Sequence, residues 1–435
     1  MNRKVVKKLF LFVDFELASP LCISGTGDEY TDIDVIRNGT GDVFIPGTSM
    51  AGAFRQYLGF EKKQNSMFGY ADSKNGAISQ VYVGDGFFDI QPKVSTRDGI
   101  RLKEDDKLVE AGAKYDYQII ETGAKGYFRL ELVIREGDDE EKFRTYLKRI
   151  FAGVETGRIR FGAKKTRGLG CMKISRVGEF VVTKENVRDG LEKLSELRRD
   201  IKQARKLEDK KAIWISNSES ENVSQVDIVV PLKQMGSISI NTYHAVKGEP
   251  DRSHITCDGK PVIPGSSWNG ALRSRIREIL KTTGRTTEEI EEILRSMFGF
   301  VKENTKEAFA STVVIDESII DKAVMVRTVR NKISRFDATT EDGALFEELT
   351  YAGGTTKLSV HVKKKAGDNL YSLYVGLLLL AIKDVQVGLL PVGGLTAVGH
   401  GIFQEDGKIT LCGNEALTEA DFIKTVWTYK NGESA

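Results

Sequence analysis

The stretch IPGTSMAGAFR at residues 45–55 returns as IPGSSWNGALR at residues 263–273. In each copy a strand end leads through a Pro-Gly turn to hydroxyl residues and then to helix-forming residues, a pattern typical of a capped helix start. Hydroxyl groups and free amides at such a start can bind a phosphate, with Ser49 and Ser267 as candidate donors. Capped helix starts are common, but two copies with the same flanks indicate an internal repeat.

Further landmarks recur in the same order around the two copies. SMFGY at 66–70 is matched by SMFGF at 296–300, and a glycine-rich turn at 161–170 is matched by another at 393–401. Two paired segments also correspond, namely RDGI at 97–100 with GAKY at 112–115, and RNKI at 330–333 with GALF at 343–346. The ordered set predicts a tandem duplication of one structural unit.

The composition is that of a globular protein with two domains. A chain of 435 residues can form two full cores, and an apolar content of 40% with 29% charged residues argues against disorder. The net charge is only +2, so the chain as a whole is not a polycation. A basic surface for nucleic acid would therefore have to come from local clusters of Lys and Arg.

The cysteines and histidines point away from disulfide and zinc frameworks. The four residues of each type are scattered, and none has the paired spacing of a structural metal site. The apolar run after the basic N-terminus is interrupted by Asp14 and Glu16, and the run 377–381 is too short to cross a bilayer. We therefore expect a cytoplasmic protein without a membrane partner.

Each half reads as strand, helix, strands, helix, strand. Two split β-α-β elements in that order build a ferredoxin-like antiparallel sheet with helices on one face, so the predicted fold class is α+β. The predicted units are residues 1–180 and 224–435, the second with a short C-terminal helix. The polar segment 93–114 predicts a projecting loop or hairpin. Phe68 and Phe298 of the repeated boxes are expected in the cores.

Residues 181–223 form a charged segment between the two units. Its periodicity is helical, and its few candidates for burial are Leu191, Leu194 and Leu197. Charges of both signs are spread along it, which is typical of a solvated surface rather than of an arm that binds nucleic acid. We interpret it as a helical linker that acts as a spacer.

The helix start, the Met-Phe-Gly box and the terminal glycine-rich turn, in this order and found twice, resemble the RAMP superfamily. The chain is most similar to the backbone subunits of type III CRISPR effector complexes, here as a fusion of two units. The resemblance covers all but the linker and the C-terminal tail. It implies two ferredoxin-like (RRM-like) RAMP domains with inserted thumb hairpins. The implied partners are a CRISPR RNA, a target RNA and other type III effector subunits.

The resemblance also implies a catalytic residue in each unit. In the most similar subunits, an aspartate in the loop after the first strand cleaves target RNA, and it stands five residues before an arginine in a Val-Ile-Arg segment. Asp32 has this spacing to Arg37, with Val35 and Ile36 in register. Asp251 stands five residues before Thr256, with Ile255 in register. The implied activity is an endoribonuclease that uses Mg²⁺ or Mn²⁺, with Asp32 as a metal ligand.

The chemistry of RNA cleavage is compatible with an aspartate. RNA carries its own nucleophile, the 2′-hydroxyl, so the protein needs to supply in-line geometry and help with proton removal or charge. A carboxylate can accept the proton or hold a divalent ion through water, without a histidine. Loop aspartates also serve as turn formers, and Asp28 or Asp34 replaces Asp32 if the register differs. We interpret His254 as a polar loop residue.

Local clusters of cations are the candidates for binding the RNA backbone. Small residues in the first glycine-rich turn let backbone amides approach a phosphate while neighbouring cations neutralise it. The second turn contains no cation, and the lysine usual after Ser-Ser in the family is replaced by Ala51 and Asn269. The candidate RNA contacts are Ser49, Arg55, Lys164, Lys165, Arg167, Ser267, Arg273 and Arg330, with Arg97, Lys103 and Arg327 close to the predicted hairpins.

Two other functions fit the same sequence. One is a structural scaffold in which neither aspartate cleaves and the fusion only fixes the spacing along the RNA. The other is a guide-processing ribonuclease of the same superfamily. Such enzymes usually act through a histidine, and none of the four histidines occupies matched positions in both halves.

Overall fold

The computed structural model describes residues 3–25, 31–59, 66–71, 76–100, 112, 114–215, 225–243, 250–301, 308–364, 370–413 and 417–429. The chain divides into two compact units, with the main division after Glu221.

The main sheet of the first unit has the strand order β10-β1-β9-β6-β2, with β5 also paired to β9. Strands of the ferredoxin-like fold occur in this order, with the first and third strands in the centre. The strands are β1 (Val5–Leu17), β2 (Phe44–Ile45), β3 (Tyr70–Ala71), β4 (Gly76–Ala77), β5 (Val81–Val83), β6 (Gly86–Phe88), β7 (Val94–Gly99), β8 (Tyr115–Ile120), β9 (Lys125–Arg135) and β10 (Met172–Thr183). The helices are α1 (Gly47–Tyr57), α2 (Glu140–Glu155), α3 (Val187–Arg199), α4 (Ile201–Ala204) and α5 (Lys211–Trp214).

The second unit repeats this order, which is written here from the opposite edge of the sheet, as β15-β16-β20-β23-β11-β24. Strand β19 also pairs with β23, and β25 with β11. Its strands are β11 (Gln225–Met235), β12 (Ser237–Ile238), β13 (Asn241–Tyr243), β14 (Arg252–His254), β15 (Thr256–Cys257), β16 (Lys260–Ile263), β17 (Phe300–Val301), β18 (Ala308–Phe309), β19 (Val313–Ile315), β20 (Ser318–Asp321), β21 (Val324–Ile333), β22 (Thr340–Ala352), β23 (Thr355–Lys363), β24 (Ile402–Glu405) and β25 (Thr410–Cys412). Its helices are α6 (Gly265–Thr282), α7 (Thr287–Phe298), α8 (Leu370–Gln386) and α9 (Glu419–Thr428).

A β-hairpin stands apart from the main sheet in each unit. The first hairpin pairs β7 with β8, and the second pairs β21 with β22. The first hairpin corresponds to the projecting segment predicted at 93–114, of which residues 101–111 and 113 lie outside the described part of the chain. Each hairpin follows the second strand of the fold and precedes the third, so it is an insertion in the ferredoxin-like order.

Both faces of the first unit's sheet are covered. The side chains of Leu9, Leu11 and Val13 pack with α1 and α2 in the main core. The alternate residues Phe10 and Phe12 pack on the other face against Leu194, Leu197 and Ala204 of the segment predicted as a linker. The prediction of helices on one face only is therefore wrong for this unit. The unbroken apolar run in β1 follows from burial on both sides.

The predicted linker is helical but is not a free spacer. Helices α3 and α4 lie on the outer face of the sheet, and Arg205 after α4 pairs with Asp14 of β1 and with Asp89. Burial raises the pKa of Asp14 even though Arg205 and Arg176 act in the opposite direction. Leu194 and Leu197 are buried as predicted, whereas Leu191 is 53% exposed.

Helix α8 explains the apolar run of the second half. The side chains along the helix are buried on almost all sides, because α6, β23 and α9 surround it. Gly376 lets α9 approach closely, since a Cβ at this position would lie 2.1 Å from the carbonyl oxygen of Phe422. Within the described residues, no helix has the length and apolar character needed to cross a membrane.

Replacement of Leu197 by Ala should destabilise the first unit. The leucine is 1% exposed against Phe10 and Phe12, so the substitution leaves a cavity and should lower the free energy of unfolding by about 2 to 4 kcal/mol. The matched variant Leu191→Ala removes an exposed side chain of the same helix and should change it by less than about 0.5 kcal/mol. Urea unfolding of the two variants tests this, and equal midpoints would show that the segment does not contribute to the unit's stability.

Candidate functional site

The loop that contains Asp32 pairs with the first hairpin through an isolated β-bridge at the next residue, Ile33. Ile33 forms a parallel bridge with Tyr117 of β8, and the backbone N–H of Gln118 donates to the Ile33 carbonyl at 2.9 Å. The side chain of Gln118 also binds the loop, because its Oε1 accepts the backbone N–H of Val35 at 3.1 Å. The loop position is therefore set by the hairpin.

Asp32 and Asp116 exchange hydrogen bonds at this junction. The backbone N–H of Asp116 donates to Asp32 Oδ2 at 2.9 Å, and the backbone N–H of Asp32 donates to Asp116 Oδ1, also at 2.9 Å. Hydrogen bonds to an ionised carboxylate are stronger than neutral ones, so this pair fixes the loop against the hairpin. The Asp32 side chain remains exposed to solvent.

The second unit has the same junction. Arg252 and Ser253 of β14 pair in parallel with Glu348 and Leu349 of β22, and the backbone N–H of Glu347 donates to Asp251 Oδ2 at 2.9 Å. The hydrogen bond between Glu347 and Asp251 therefore corresponds to the one between Asp116 and Asp32. The structure places the two aspartates singled out from the sequence at equivalent, exposed positions beside equivalent hairpins.

One part of the predicted correspondence between the hairpins is wrong. The register equates Tyr115 with Phe346, in agreement with the matched segments 112–115 and 343–346. It equates Arg97 with Thr328, however, and Gly99 with Arg330. The segments 97–100 and 330–333 are therefore shifted by two residues in space. The similarity of short polar segments did not reveal this shift, which only the pairing of strands defines.

The neighbouring acids have different roles or positions. Asp34 Oδ1 accepts from the backbone N–H of Thr31 at 3.0 Å and from its hydroxyl at 2.7 Å, which is the contact of a turn-forming aspartate. Asp34 thus closes the turn, whereas the Asp32 carboxylate bonds to another strand. Asp28 lies outside the described residues, as does Lys103.

His254 is a structural residue of the second unit. It is 2% exposed, its Nδ1 accepts the backbone N–H of Ile240 at 3.1 Å, and its Nε2–H donates to the Val262 carbonyl at 3.0 Å. Burial lowers the pKa of the imidazole to about 4. A neutral ring with both nitrogens engaged cannot act as a general base, in agreement with the expectation that His254 is not catalytic. The predicted loop position is wrong, because His254 is buried at the end of β14.

The predicted hydroxyl caps of the repeated helices are wrong. Helices α1 and α6 begin at the glycine, so their N-cap positions are Pro46 and Pro264, whose side chains cannot accept a hydrogen bond. At α1, the backbone N–H of Gly47 donates to Asp85 Oδ1 at 2.7 Å, so a protein carboxylate already interacts with the positive end of this helix. Ser49 and Ser267 lie in the first turns, and their roles as RNA contacts stay predictions.

The glycine-rich turns have the same backbone but different side chains. Lys164 and Leu395 occupy equivalent positions in the two turns and have positive φ values of 54° and 55°. The ammonium group of Lys164 donates to the Tyr115 hydroxyl at 2.9 Å and lies 4.4 and 4.1 Å from the ring centroids of Tyr115 and Tyr117. Lys164 therefore supports the base of the first hairpin, and its RNA contact stays a prediction.

The hairpin bases also differ in polarity. The first base is an apolar cluster of Cys22, Tyr117, Ile119 and Leu169. The positions that correspond to it in the second unit carry buried polar residues, namely Ser239, Glu348, Thr350 and His400. Ser239 Oγ donates to Glu348 Oε1 at 2.6 Å. Arg330 Nη2 lies 3.2 Å from His400 Nε2 and 4.0 Å from Glu348 Oε2, which orients its exposed side chain.

The remaining candidate cations are distributed over both units. Arg55 and Arg273 are half-buried on α1 and α6, whereas Arg167 is exposed in the first glycine-rich turn next to the half-buried Lys165. Phe68 and Phe298 are partly buried against the two cores, as expected. The contacts of these cations with RNA stay predictions.

Sequence reasoning missed Asp116 and Glu347. Each follows directly after the matched segments 112–115 and 343–346, so an acid at the same place in both repeats was a usable signal. Their contact with the loop aspartates spans 84 and 96 residues, and such long-range pairing cannot be read from local sequence.

A divalent ion at the first junction stays a prediction. Among the described residues, no group of three or more His, Cys, Asp or Glu side chains can enclose a metal ion. Mg²⁺ is commonly held by one or two carboxylates together with waters and substrate phosphates. Asp32 would be the protein ligand of such an ion once a phosphate is present.

The comparison with known families gives one result. The sequence model described as "RAMPs: RAMP superfamily" matches residues 14–173 and again residues 247–404. One match falls in each structural unit, and the two together cover most of the chain. No curated protein matches the sequence.

Acid should destabilise the second unit through His254. The folded-state pKa of about 4 lies below the ordinary value near 6.5, so the unfolded chain binds the extra proton as the pH falls through 6.5. This effect should reduce the stability by about 2 kcal/mol at pH 5 and disappear above pH 7. In His254→Gln, hydrogen exchange of peptides from the second unit should depend less on pH between 7.5 and 5.0. An unchanged pH dependence would contradict the assignment.

Proposed function

Because the chain belongs to the RAMP superfamily, whose members are CRISPR-associated RNA-binding subunits, we propose that it is a backbone subunit of a type III effector complex that cleaves guide-paired target RNA. Asp32 and Asp251 are the proposed catalytic residues. The partners would be a CRISPR RNA, the target RNA and the other subunits of such a complex.

In each unit an exposed aspartate lies beside the inserted hairpin, and this recurrence is the observation that carries the proposal. The Asp34 carboxylate closes a turn by accepting from the backbone N–H and the hydroxyl of Thr31. Asp32 and Asp251 bond instead to a backbone amide of a distant strand and keep their side chains at the surface. Rigidly held, exposed carboxylates beside a projecting hairpin are suited to act on a strand that passes the hairpin.

Each aspartate would need only to assist a reaction whose nucleophile the RNA itself supplies. The 2′-hydroxyl of the target strand attacks the adjacent phosphate, so the protein must hold the ribose in line and favour loss of the hydroxyl proton. The Asp32 carboxylate can accept that proton directly or through a water molecule. A bound Mg²⁺ or Mn²⁺ would stabilise charge on the phosphate. The products would carry a 2′,3′-cyclic phosphate and a 5′-hydroxyl.

Guide binding would use cations outside the two junctions. Arg330 is exposed and oriented by His400 and Glu348, which favours it as a backbone contact on the second hairpin. Arg167 and Lys165 would bind the guide at the first glycine-rich turn. Near the helix starts, the guide would be bound by Arg55, Arg273, Ser49 and Ser267. Because such contacts are with phosphates, each should contribute to a salt-dependent affinity with little preference for sequence.

Cleavage of a guide-matched RNA by the assembled complex tests the proposal. With a 5′-labelled target and Mg²⁺, Asp32→Ala and Asp251→Ala should each abolish a separate set of bands while guide binding persists. The double variant should leave the RNA intact, and EDTA should stop cleavage in the wild type. Asp42→Asn, a change of another exposed aspartate in the same segment, should have no effect.

The same experiment distinguishes the scaffold function. A double variant that still yields every band would show that the aspartates do not cleave and that the chain only spaces the RNA. Loss of one set of bands with Asp32→Ala and none with Asp251→Ala would restrict catalysis to the first unit. Mapping the 3′ ends as cyclic phosphates would separate attack by the 2′-hydroxyl from attack by water.

A further inference from the structure

The two hairpin acids occupy equivalent positions but use their carboxylates differently. The Asp116 carboxylate accepts the backbone N–H of Asp32 at 2.9 Å. The Glu347 carboxylate instead accepts from Nε of Arg327 and forms an ion pair with it. This hydrogen bond lowers the pKa of Glu347, so the acid is kept ionised and turned toward the arginine.

The arginine has no counterpart in the first hairpin. Arg327 pairs with Leu349 across the second hairpin, and the corresponding pair in the first is Thr96 with Gln118. On this register the residue that corresponds to Arg327 is Thr96. A threonine side chain carries no charge and is too short to replace an arginine as the partner of a carboxylate.

We propose that Asp116 is a positioning residue for Asp32, and that Arg327 diverts Glu347 from the same role toward Asp251. The inference rests on the proposed cleavage function. Among the hydrogen bonds of the described residues, those between Asp32 and Asp116 use both the backbone amide and the carboxylate of Asp32, whereas the one between Asp251 and Glu347 uses the carboxylate of Asp251. Because small losses of alignment strongly reduce the rate of a reaction, the first site should cleave faster than the second.

The reciprocal geometry also explains why two acids lie side by side in an exposed junction. Like charges repel, so an acid beside a functional carboxylate is unfavourable without a compensating contact. Each of the two aspartates accepts a backbone N–H from the other's residue, and these charge-assisted hydrogen bonds offset the repulsion. An amide side chain at position 116 could accept the same N–H without the charge.

Variants of Asp116 separate a hydrogen-bond role from a role of its charge. Asp116→Ala removes the acceptor and should slow the Asp32-dependent bands by about 10- to 100-fold in single-turnover cleavage at saturating complex. Asp116→Asn keeps an oxygen acceptor and should stay within about threefold of the wild type. Affinity for the guide-matched RNA should not change in either variant. Asp98→Ala, which removes the acid opposite Asp116 on the same hairpin, is the matched control and should leave the rate unchanged.

Exchange of residues at the arginine position tests the second half of the inference. Arg327→Thr releases Glu347 and should raise the rate of the Asp251-dependent bands by about three- to tenfold, with no change in the Asp32-dependent ones. Thr96→Arg brings a cation within reach of Asp116 and should lower the Asp32-dependent rate. Thermal unfolding and guide binding of each variant show that the hairpins remain folded.

The outcomes distinguish this inference from the function on which it rests. If the wild-type complex gives no Asp32-dependent band, the proposed function fails. If those bands are present and Asp116→Ala cleaves as fast as the wild type, the positioning role is overturned while the function stands. If Asp116→Asn is as slow as Asp116→Ala and needs more Mg²⁺, the acid acts through its charge and the positioning role is again overturned. A constant ratio of the two rates in Arg327→Thr overturns the role of the arginine.

Discussion

A backbone amide of a hairpin strand holds the carboxylate of a loop aspartate, and the arrangement of each candidate site depends on this hydrogen bond. The loop around Asp32 consists largely of glycine, threonine and acids, which supply little apolar surface for packing. Its place is fixed instead by pairing with β8, through the amide of Asp116 and the bridge from Ile33 to Tyr117. The described part of the loop around Asp32 is thus positioned by the hairpin.

The duplication has kept backbone geometry and changed the chemistry of side chains. Both units share the strand order, the parallel bridge at the aspartate and the left-handed residue of the glycine-rich turn. The base of the first hairpin is apolar and supported by Lys164 over two tyrosines, whereas the second contains a buried hydrogen bond from Ser239 to Glu348 and a contact of His400 with Arg330. Two sites with one frame and different surroundings are expected to work at different rates.

Much of the fold could be predicted from sequence because it depends on local and repeated patterns. The apolar strand β1, the Pro-Gly helix starts and the glycine-rich turns each reveal their structure within about ten residues. The placement of α3 and α4 on the sheet could not be predicted, because a charged helix with only Leu194 and Leu197 buried resembles a solvated one. The aspartates could be singled out by their spacing, but their partners Asp116 and Glu347 depend on pairing between distant strands.

If both loop aspartates face the target strand, a cryo-EM structure of the assembled complex should show this arrangement. The complex would carry its guide and a target RNA with 2′-deoxy residues at the cleavage positions, so that the strand stays intact. Each carboxylate, of Asp32 and of Asp251, should lie within roughly 3 to 5 Å of a target phosphate, directly or through one water or ion. Carboxylates that point away from the target strand in both units would contradict it.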